Sequence, residues 1–216
     1  MDGPAASGKS AVGSAVARAL DYRFLDTGAM YRALTWLALR RGIPPTDPAA
    51  LGALAEAARV DVTAGEAEDE PTRVWLDGED ATPHLREPEV EQTVSLVSQA
   101  PRVRAALVQI QRRIAGEGRI VMAGRDIGSV VLPDADLKVY LVASPEVRAR
   151  RREAQLRAAG ADAEYAAIVA EIARRDGIDS TRALSPLTPA AGAVIINTDG
   201  LTLEEVVRRI VALAHG

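Results

Sequence analysis

Gly3, Gly8, Lys9 and Ser10 stand at the spacing G-x-x-x-x-G-K-[ST]. That spacing belongs to a loop that leaves a strand, wraps a phosphate and enters a helix. Its glycines let successive backbone N–H groups turn inward around phosphate oxygens. Lys9 then reaches the β- and γ-phosphates, and Ser10 offers a hydroxyl to Mg²⁺. The whole run Gly3, Pro4, Ala5, Ala6, Ser7, Gly8, Lys9 and Ser10 is the candidate triphosphate cradle. A helix that follows at once adds its positive N-terminal end to that cradle. Val12, Val16 and Leu20 recur at spacing four, as the core-facing stripe of such a helix requires. Of the 26 lysines and arginines, only Lys9 and Lys138 are lysine. A compact ammonium fits a phosphate cradle where a planar guanidinium is too large. Only Met1 and Asp2 precede Gly3, so the strand expected to feed the loop is missing from this chain.

Composition narrows what else the chain can be. At 216 residues it can bury a substantial core and fits one domain with insertions. Hydrophobic residues at 48% and charged residues at 26% are ordinary for a soluble globular protein. A net charge of −4 supplies no global basic field for nucleic acid. The absence of cysteine excludes disulfides, thiol catalysis and Cys-ligated zinc, and fits a cytoplasmic protein. No apolar run of about 18 residues predicts a membrane span, and no signal peptide precedes the loop. His84 and His215 have no neighbouring triad or ligand set and are read as bystanders.

Strand-like runs alternate with helical patterns, which predicts an α/β protein with a parallel sheet. Residues 22–26 read as a strand and 29–41 as a helix ended by Gly42 and the Pro44-Pro45 pair. Residues 49–59 look helical. Val60-Asp61-Val62 and Val74-Trp75-Leu76 alternate like paired strands, and Asp77-Gly78 reads as a hairpin turn. This antiparallel patch interrupts the α/β rhythm and looks inserted. Residues 87–100 and 101–117 read as helices, 120–123 and 137–142 as buried strands. Ser144-Pro145-Glu146 starts another helix with a cap, a proline and an acid in order. A further helix is predicted over 162–176 and a last strand over 194–197. Thr202 and Glu205 have capping-box spacing ahead of a C-terminal amphipathic helix.

Three further clusters carry chemistry. Asp26-Thr27-Gly28-Ala29-Met30-Tyr31-Arg32 follows a strand, where open α/β sheets gather ligands. Tyr31 and Arg32 enter from the first turn of a helix, and Arg32 reads as a bidentate phosphate clamp or as a solvated arginine. Gly124-Arg125-Asp126-Ile127-Gly128 ends a buried strand. Asp126 there could serve Mg²⁺, but Arg125 and the glycines point to contact with a ligand. Arg148, Arg151 and Arg152 share one helix face, Arg150 and Arg157 extend the cluster, and Arg174, Arg175 and Arg182 follow with Asp176 and Asp179 between them. Such runs are commonly solvated faces. Beside a phosphate loop they read as a lid whose arginines close over a triphosphate. RNA binding fits less well, because aromatic residues are only 3% of the chain. No general base stands out. A nucleoside monophosphate needs none, since its second pKa lies near ~6 and its phosphate is already ionised.

Together these residues resemble the bacterial cytidylate kinase family. The resemblance rests on Asp2-Gly3-Pro4 with Gly8-Lys9-Ser10, on residues 26–32, on Pro101-Arg102-Val103-Arg104, on residues 124–128, and on Arg175-Asp176 with Asp179-Ser180-Thr181-Arg182 and Pro186-Leu187. It implies an α/β P-loop NTPase fold: a central parallel sheet flanked by helices, an inserted monophosphate-binding subdomain with a small antiparallel sheet, and an Arg-rich helical lid. It also implies one kinase domain over residues 1–216, with a core of 1–48, 96–143 and 183–216, an insert near 49–95 and a lid near 144–182. The implied reaction moves the ATP γ-phosphate to CMP or dCMP with Mg²⁺. Arg32 and Arg125 would hold the acceptor phosphate. Ser95, Arg104, Asp126 and Arg182 would read cytosine, whose N4 amino group suits Asp or Ser and whose O2 and N3 suit Arg. Asp179 and Arg175 would lie near ribose and phosphates, and Thr27 and Tyr31 would line the acceptor pocket. Lys9, Arg125, Arg148, Arg152 and Arg175 would neutralise charge during transfer, and Ser10 would hold the metal. The partners implied are these small molecules alone, acting on a monomer without nucleic acid or membrane. Other phosphate-loop kinases, such as guanylate or dephospho-coenzyme A kinase, remain open, as do a GTPase-like switch and a non-catalytic nucleotide-binding module. The absence of an N-K-x-D motif weighs against the switch.

Overall fold

Gly3 leaves a sheet and Lys9 enters a helix, as the spacing of the glycine loop requires. The computed structural model describes residues 1–64, 72–158, 160, 162, 164–181 and 187–216. They form two units: Met1–Val16 with Gly124–Gly216, and Ala17–Ala123. The helix after the loop is α1 (Lys9–Ala19).

The first unit is built on β6 (Val139–Val142) and β7 (Val194–Asn197), paired in parallel with Val139 opposite Val194. Asp2 forms a parallel bridge to Tyr140, its N–H donating to Val139 O at 2.8 Å and its carbonyl accepting from Leu141 N–H at 2.8 Å. Gly124 N–H donates to Met1 O at 3.0 Å. Three helices complete the unit: α6 (Pro145–Ala158), α7 (Tyr165–Thr181) and α8 (Leu203–His215). Ala149, Ile168 and Ile172 pack α6 against α7. The Thr202–Glu205 capping box closes in both directions at the start of α8, which buries Val206 and Ile210 one turn apart. Beyond Asp126 the chain makes one wide turn over Ile127–Val131. Leu132 N–H reaches back five residues to Ile127 O at 2.7 Å. Such π-type turns are uncommon and concentrate at functional sites.

In the second unit β1 (Arg23–Asp26) pairs in parallel with β5 (Ile120–Ala123). Four helices follow the same logic of polar or proline starts: α2 (Thr27–Arg40), α3 (Pro48–Ala57), α4 (Pro88–Val97) and α5 (Pro101–Ala115). Proline suits the first helical position because its missing N–H would have had no partner there. The antiparallel insert is β2 (Val60–Thr63), β3 (Arg73–Leu76) and β4 (Glu79–Asp80). Asp77-Gly78 is indeed a tight turn, but it joins β3 to the two-residue β4. Both turn residues have positive φ, +53° and +85°, as this hairpin type demands. One apolar cluster holds the unit together, with Met30, Leu34, Leu51, Leu76, Val90, Val97 and Leu107 all essentially sealed from solvent.

Among the helix boundaries that differ from the sequence expectation, two bear on candidate site residues. α2 starts at Thr27, not at residue 29, because the Asp26 carboxylate accepts Gly28 N–H at 2.9 Å and caps the helix earlier. α7 runs past Asp176 and Gly177 to Thr181, which places Asp179 on the helix rather than after it. No helix of the described residues is long and apolar enough to cross a membrane.

Candidate active site

The glycine loop is shaped by steric necessity at its first residue. A Cβ on Gly3 would lie 2.3 Å from Leu141 O, so only glycine lets the loop rise this close to β6. Gly8, with φ +94°, turns the chain into α1. Ala6 takes φ +57°, a left-handed conformation that costs a non-glycine residue about 1 kcal/mol. Ser7 is fully buried inside the loop. Lys9 folds back over it, donating from Nζ to Pro4 O at 2.6 Å and to Ser7 Oγ at 3.3 Å. The ammonium is therefore aimed across the loop. Ser10 lies exposed in the first turn of α1.

Arginines of α6 reach this loop through the main chain. Arg148, 6% exposed, donates to Ala5 O at 3.2 Å, to Ala143 O at 3.1 Å and to the Asp176 carboxylate at 2.6 Å. Arg151 donates to Ser7 O at 3.4 Å and to Thr198 through Oγ1 and O, each at 2.9 Å. Arg152 donates to Gln155 Oε1 at 2.9 Å. Arg175 sits half-buried on α7.

Asp2 ties the loop at residues 124–128 to the same unit. Its buried carboxylate accepts Ile127 N–H at 2.7 Å and Gly128 N–H at 2.8 Å. These two donors open the wide turn, so their partner fixes where Arg125 and Asp126 leave β5. Arg125 Nε donates to the Asp179 carboxylate at 2.8 Å. Asp126 is buried beside it in sequence. Burial, then the Asp2 charge, pushes the Tyr140 phenol above the usual tyrosine range.

The second unit carries the other expected acceptor residues. Asp26 caps α2 and also accepts Arg32 Nη2 at 3.1 Å, so one carboxylate sets both the helix start and the arginine on its first turns. A Cβ on Gly28 would meet Arg32 Nη1 and Asp26 Oδ1 at 3.0 Å, and the bare glycine leaves room for that pair. Asp26 is held in turn by its own N–H, which donates to the buried Thr72 Oγ1 at 2.9 Å. Thr27 Oγ1 donates to Ala123 O at 2.8 Å. Arg104, buried on α5, donates to Ser98 O at 3.4 Å and lies over the Tyr31 ring at 5.7 Å. Ser95 is buried on α4. Trp36, one turn beyond Arg32, is stacked on His84 at 4.8 Å with the Arg40 guanidinium 4.6 Å from its ring.

Of the expected site residues, Lys9, Ser10, Arg125, Asp126, Arg148, Arg152, Arg175 and Asp179 lie in the first unit, and Thr27, Tyr31, Arg32, Ser95 and Arg104 in the second. Arg182 lies outside the described residues. Sequence reasoning gave no role to Asp2, Asp26, Thr72 or Thr198. Only Asp26 carried a usable signal, as a capping residue at the end of a strand. Among the described residues no group of three or more His, Cys, Asp or Glu side chains is placed to cage a metal ion. Mg²⁺ needs no such cage, since it takes one or two protein oxygens and completes its shell with phosphate and water. Ser10, exposed at the start of α1, carries a hydroxyl oxygen beside the loop.

Comparison with known proteins places these features in a family. The family model described as cytidylate kinase matches residues 1–216. A cytidylate kinase of Symbiobacterium thermophilum is 52% identical over 210 residues, covering 97% of this chain and 92% of that protein. One of Rhodococcus jostii is 50% identical, covering 97% of this chain and 91% of its own length. A bifunctional pantoate ligase/cytidylate kinase of Synechococcus sp. is also 50% identical over 99% of this chain, which spans 39% of that longer protein.

Proposed function

The chain belongs to the cytidylate kinase family, and we propose that it transfers the γ-phosphate of ATP to CMP or dCMP. A phosphate oxygen of the acceptor forms a bond to the γ-phosphorus as the bond to the β-bridging oxygen breaks, giving CDP or dCDP and ADP. The observation that carries this reading is the glycine loop with Lys9 already aimed across it. Lys9 meets the β- and γ-phosphates there, and the loop N–H groups take the remaining oxygens. Ser10 holds Mg²⁺, which when bound draws charge off the phosphates.

The acceptor side follows from chemistry at single residues. Arg32 and Arg125 each present a guanidinium already oriented by a carboxylate, Asp26 and Asp179 respectively, and each suits the acceptor phosphate. Ser95, Arg104, Asp126 and Arg182 suit the donor and acceptor edge of cytosine. Thr27 and Tyr31 line the base and sugar, and Asp179 and Arg175 serve the ribose and phosphates. Arg125, Arg148, Arg152 and Arg175 add positive charge during transfer. No general base is required, because the acceptor is ionised at neutral pH. Catalysis then rests on position, charge and exclusion of water.

The test is ADP formation from Mg-ATP with CMP, dCMP, UMP, AMP and GMP offered in parallel. Preferential turnover of CMP and dCMP is expected. Preference for GMP, or a folded protein that turns over none of the five, overturns the reading.

A further inference from the structure

The glycine loop is braced from behind. Arg148 and Arg151 stand three residues apart on one face of α6, and each donates to a carbonyl of the loop, Ala5 O and Ser7 O. A peptide's carbonyl and the following N–H point in opposite directions from one plane. The partner of the Ala5 carbonyl is therefore the Ala6 N–H, and that of the Ser7 carbonyl is the Gly8 N–H. A cation on the carbonyl polarises the peptide and makes the opposite N–H a stronger donor. It also fixes which way the peptide faces. That matters most at Gly8, whose backbone alternatives are cheap.

Both guanidiniums are themselves immobilised. Arg148 is held by Asp176 at 2.6 Å, and Arg151 by Thr198, which is 1% exposed. Side chains pinned in this way are held against the loop carbonyls.

We propose that Arg148 and Arg151 are positioning residues that act on the bound triphosphate through the loop backbone. They lock the Ala5–Ala6 and Ser7–Gly8 peptides with their N–H groups turned toward the phosphates. Asp176 and Thr198 keep the two arginines in register. The proposal rests on the reading of this loop as the ATP site.

The experiment uses the full chain, ¹⁵N-labelled and free of nucleotide, as wild type, Arg148→Lys and Arg151→Met. The amide signal of Ala6 moves in the first variant and that of Gly8 in the second. Affinity for ATP and for inorganic tripolyphosphate falls together by about tenfold in Arg151→Met, the loss of one or two charge-assisted bonds, while KM for CMP holds. Among the described residues Arg151 donates to neutral acceptors, Ser7 O and Thr198 Oγ1 and O, so this variant strands no carboxylate among them and keeps the test open if Arg148→Lys unfolds.

Loss of affinity with unmoved amide signals means direct contact with phosphate and overturns the proposal. So does a lower melting temperature with unchanged affinity and amide signals. Arginine-dependent tripolyphosphate binding in a protein that phosphorylates no monophosphate supports the brace while the kinase reading falls. Failure of the wild type to bind either ATP or tripolyphosphate overturns both.

Discussion

The two units hold their site residues by different means. In the second, Tyr31 and Arg32 ride on α2, whose neighbours Met30 and Leu34 are wholly buried in one apolar cluster with Leu76, Val97 and Leu107. The site side chains are placed because their helices are placed. In the first, the site is mainly a loop of backbone, and side chains reach to it: Asp2 to two N–H groups, Arg148 and Arg151 to loop carbonyls. A loop offers no packed face, so its direction must be fixed by hydrogen bonds to its own polar groups. Packing error and bonding error should then have different signatures, stability in one unit and turnover in the other.

The largest effect tests the packed unit. Leu76→Ala, at the end of β3 and 1% exposed, removes about 2–5 kcal/mol from the free energy of unfolding, measured in denaturant. In the cold, where the variant remains folded, KM for CMP and for ATP should match wild type. A shift in either KM would show that the core tunes the site directly, and the contrast between the units would fail. The matching change in the first unit is Asp2→Asn. One of the two buried donors, Ile127 N–H or Gly128 N–H, then faces an amide NH₂ instead of an oxygen, at about 1–3 kcal/mol. Here kcat/KM for CMP should drop about tenfold or more while the fold survives, since Arg125 and Asp126 leave β5 through this turn. Equal kcat/KM in a protein that only melts earlier would make Asp2 a plain structural residue.

A smaller change separates bonding from packing inside the second unit. Thr72→Val keeps volume but removes the oxygen that accepts Asp26 N–H. Asp26 is half-buried, so water can partly replace the bond, and about 1 kcal/mol is expected. Because Asp26 orients Arg32, KM for CMP should rise up to about fivefold with kcat nearly steady. A KM that does not move would place Arg32 under the control of α2 packing alone.

The same contrast explains what the sequence made legible. Loops and helix starts with local signals were readable: the glycine spacing, the turn at Asp77-Gly78, the strand Val194–Asn197 and the capping box at Thr202 and Glu205. Links between distant positions were not. Asp2 is 125 residues from Ile127, and Arg151 is 47 from Thr198, and no periodicity encodes either pair. The end of α7 was misplaced for a related reason. Glycine disfavours a helix interior, yet the helix runs on through Gly177, with Asp176 and Asp179 held on either side of it by Arg148 and Arg125. Tertiary ion pairs overrule the local preference, and they become visible only once the partners are brought together.

The smallest effect asks how far the loop's shape belongs to its backbone. Ala6 sits at φ +57°, where its Cβ is strained by about 1 kcal/mol. Ala6→Gly relieves that strain but frees the unfolded chain by nearly as much, so the melting temperature should stay level or rise slightly. KM for ATP should not change, because glycine accepts the same φ and the carbonyls on either side keep their arginines. Ala6→Val is the informative partner. A β-branched residue resists this conformation far more strongly, and if it folds it must pull the Ala5–Ala6 peptide away from its present direction. ATP affinity should then fall even though no group expected to touch ATP has been removed. A valine variant with wild-type ATP affinity would mean that the peptide's direction does not set phosphate binding. The backbone loop would then be no more demanding than the packed helices of the second unit.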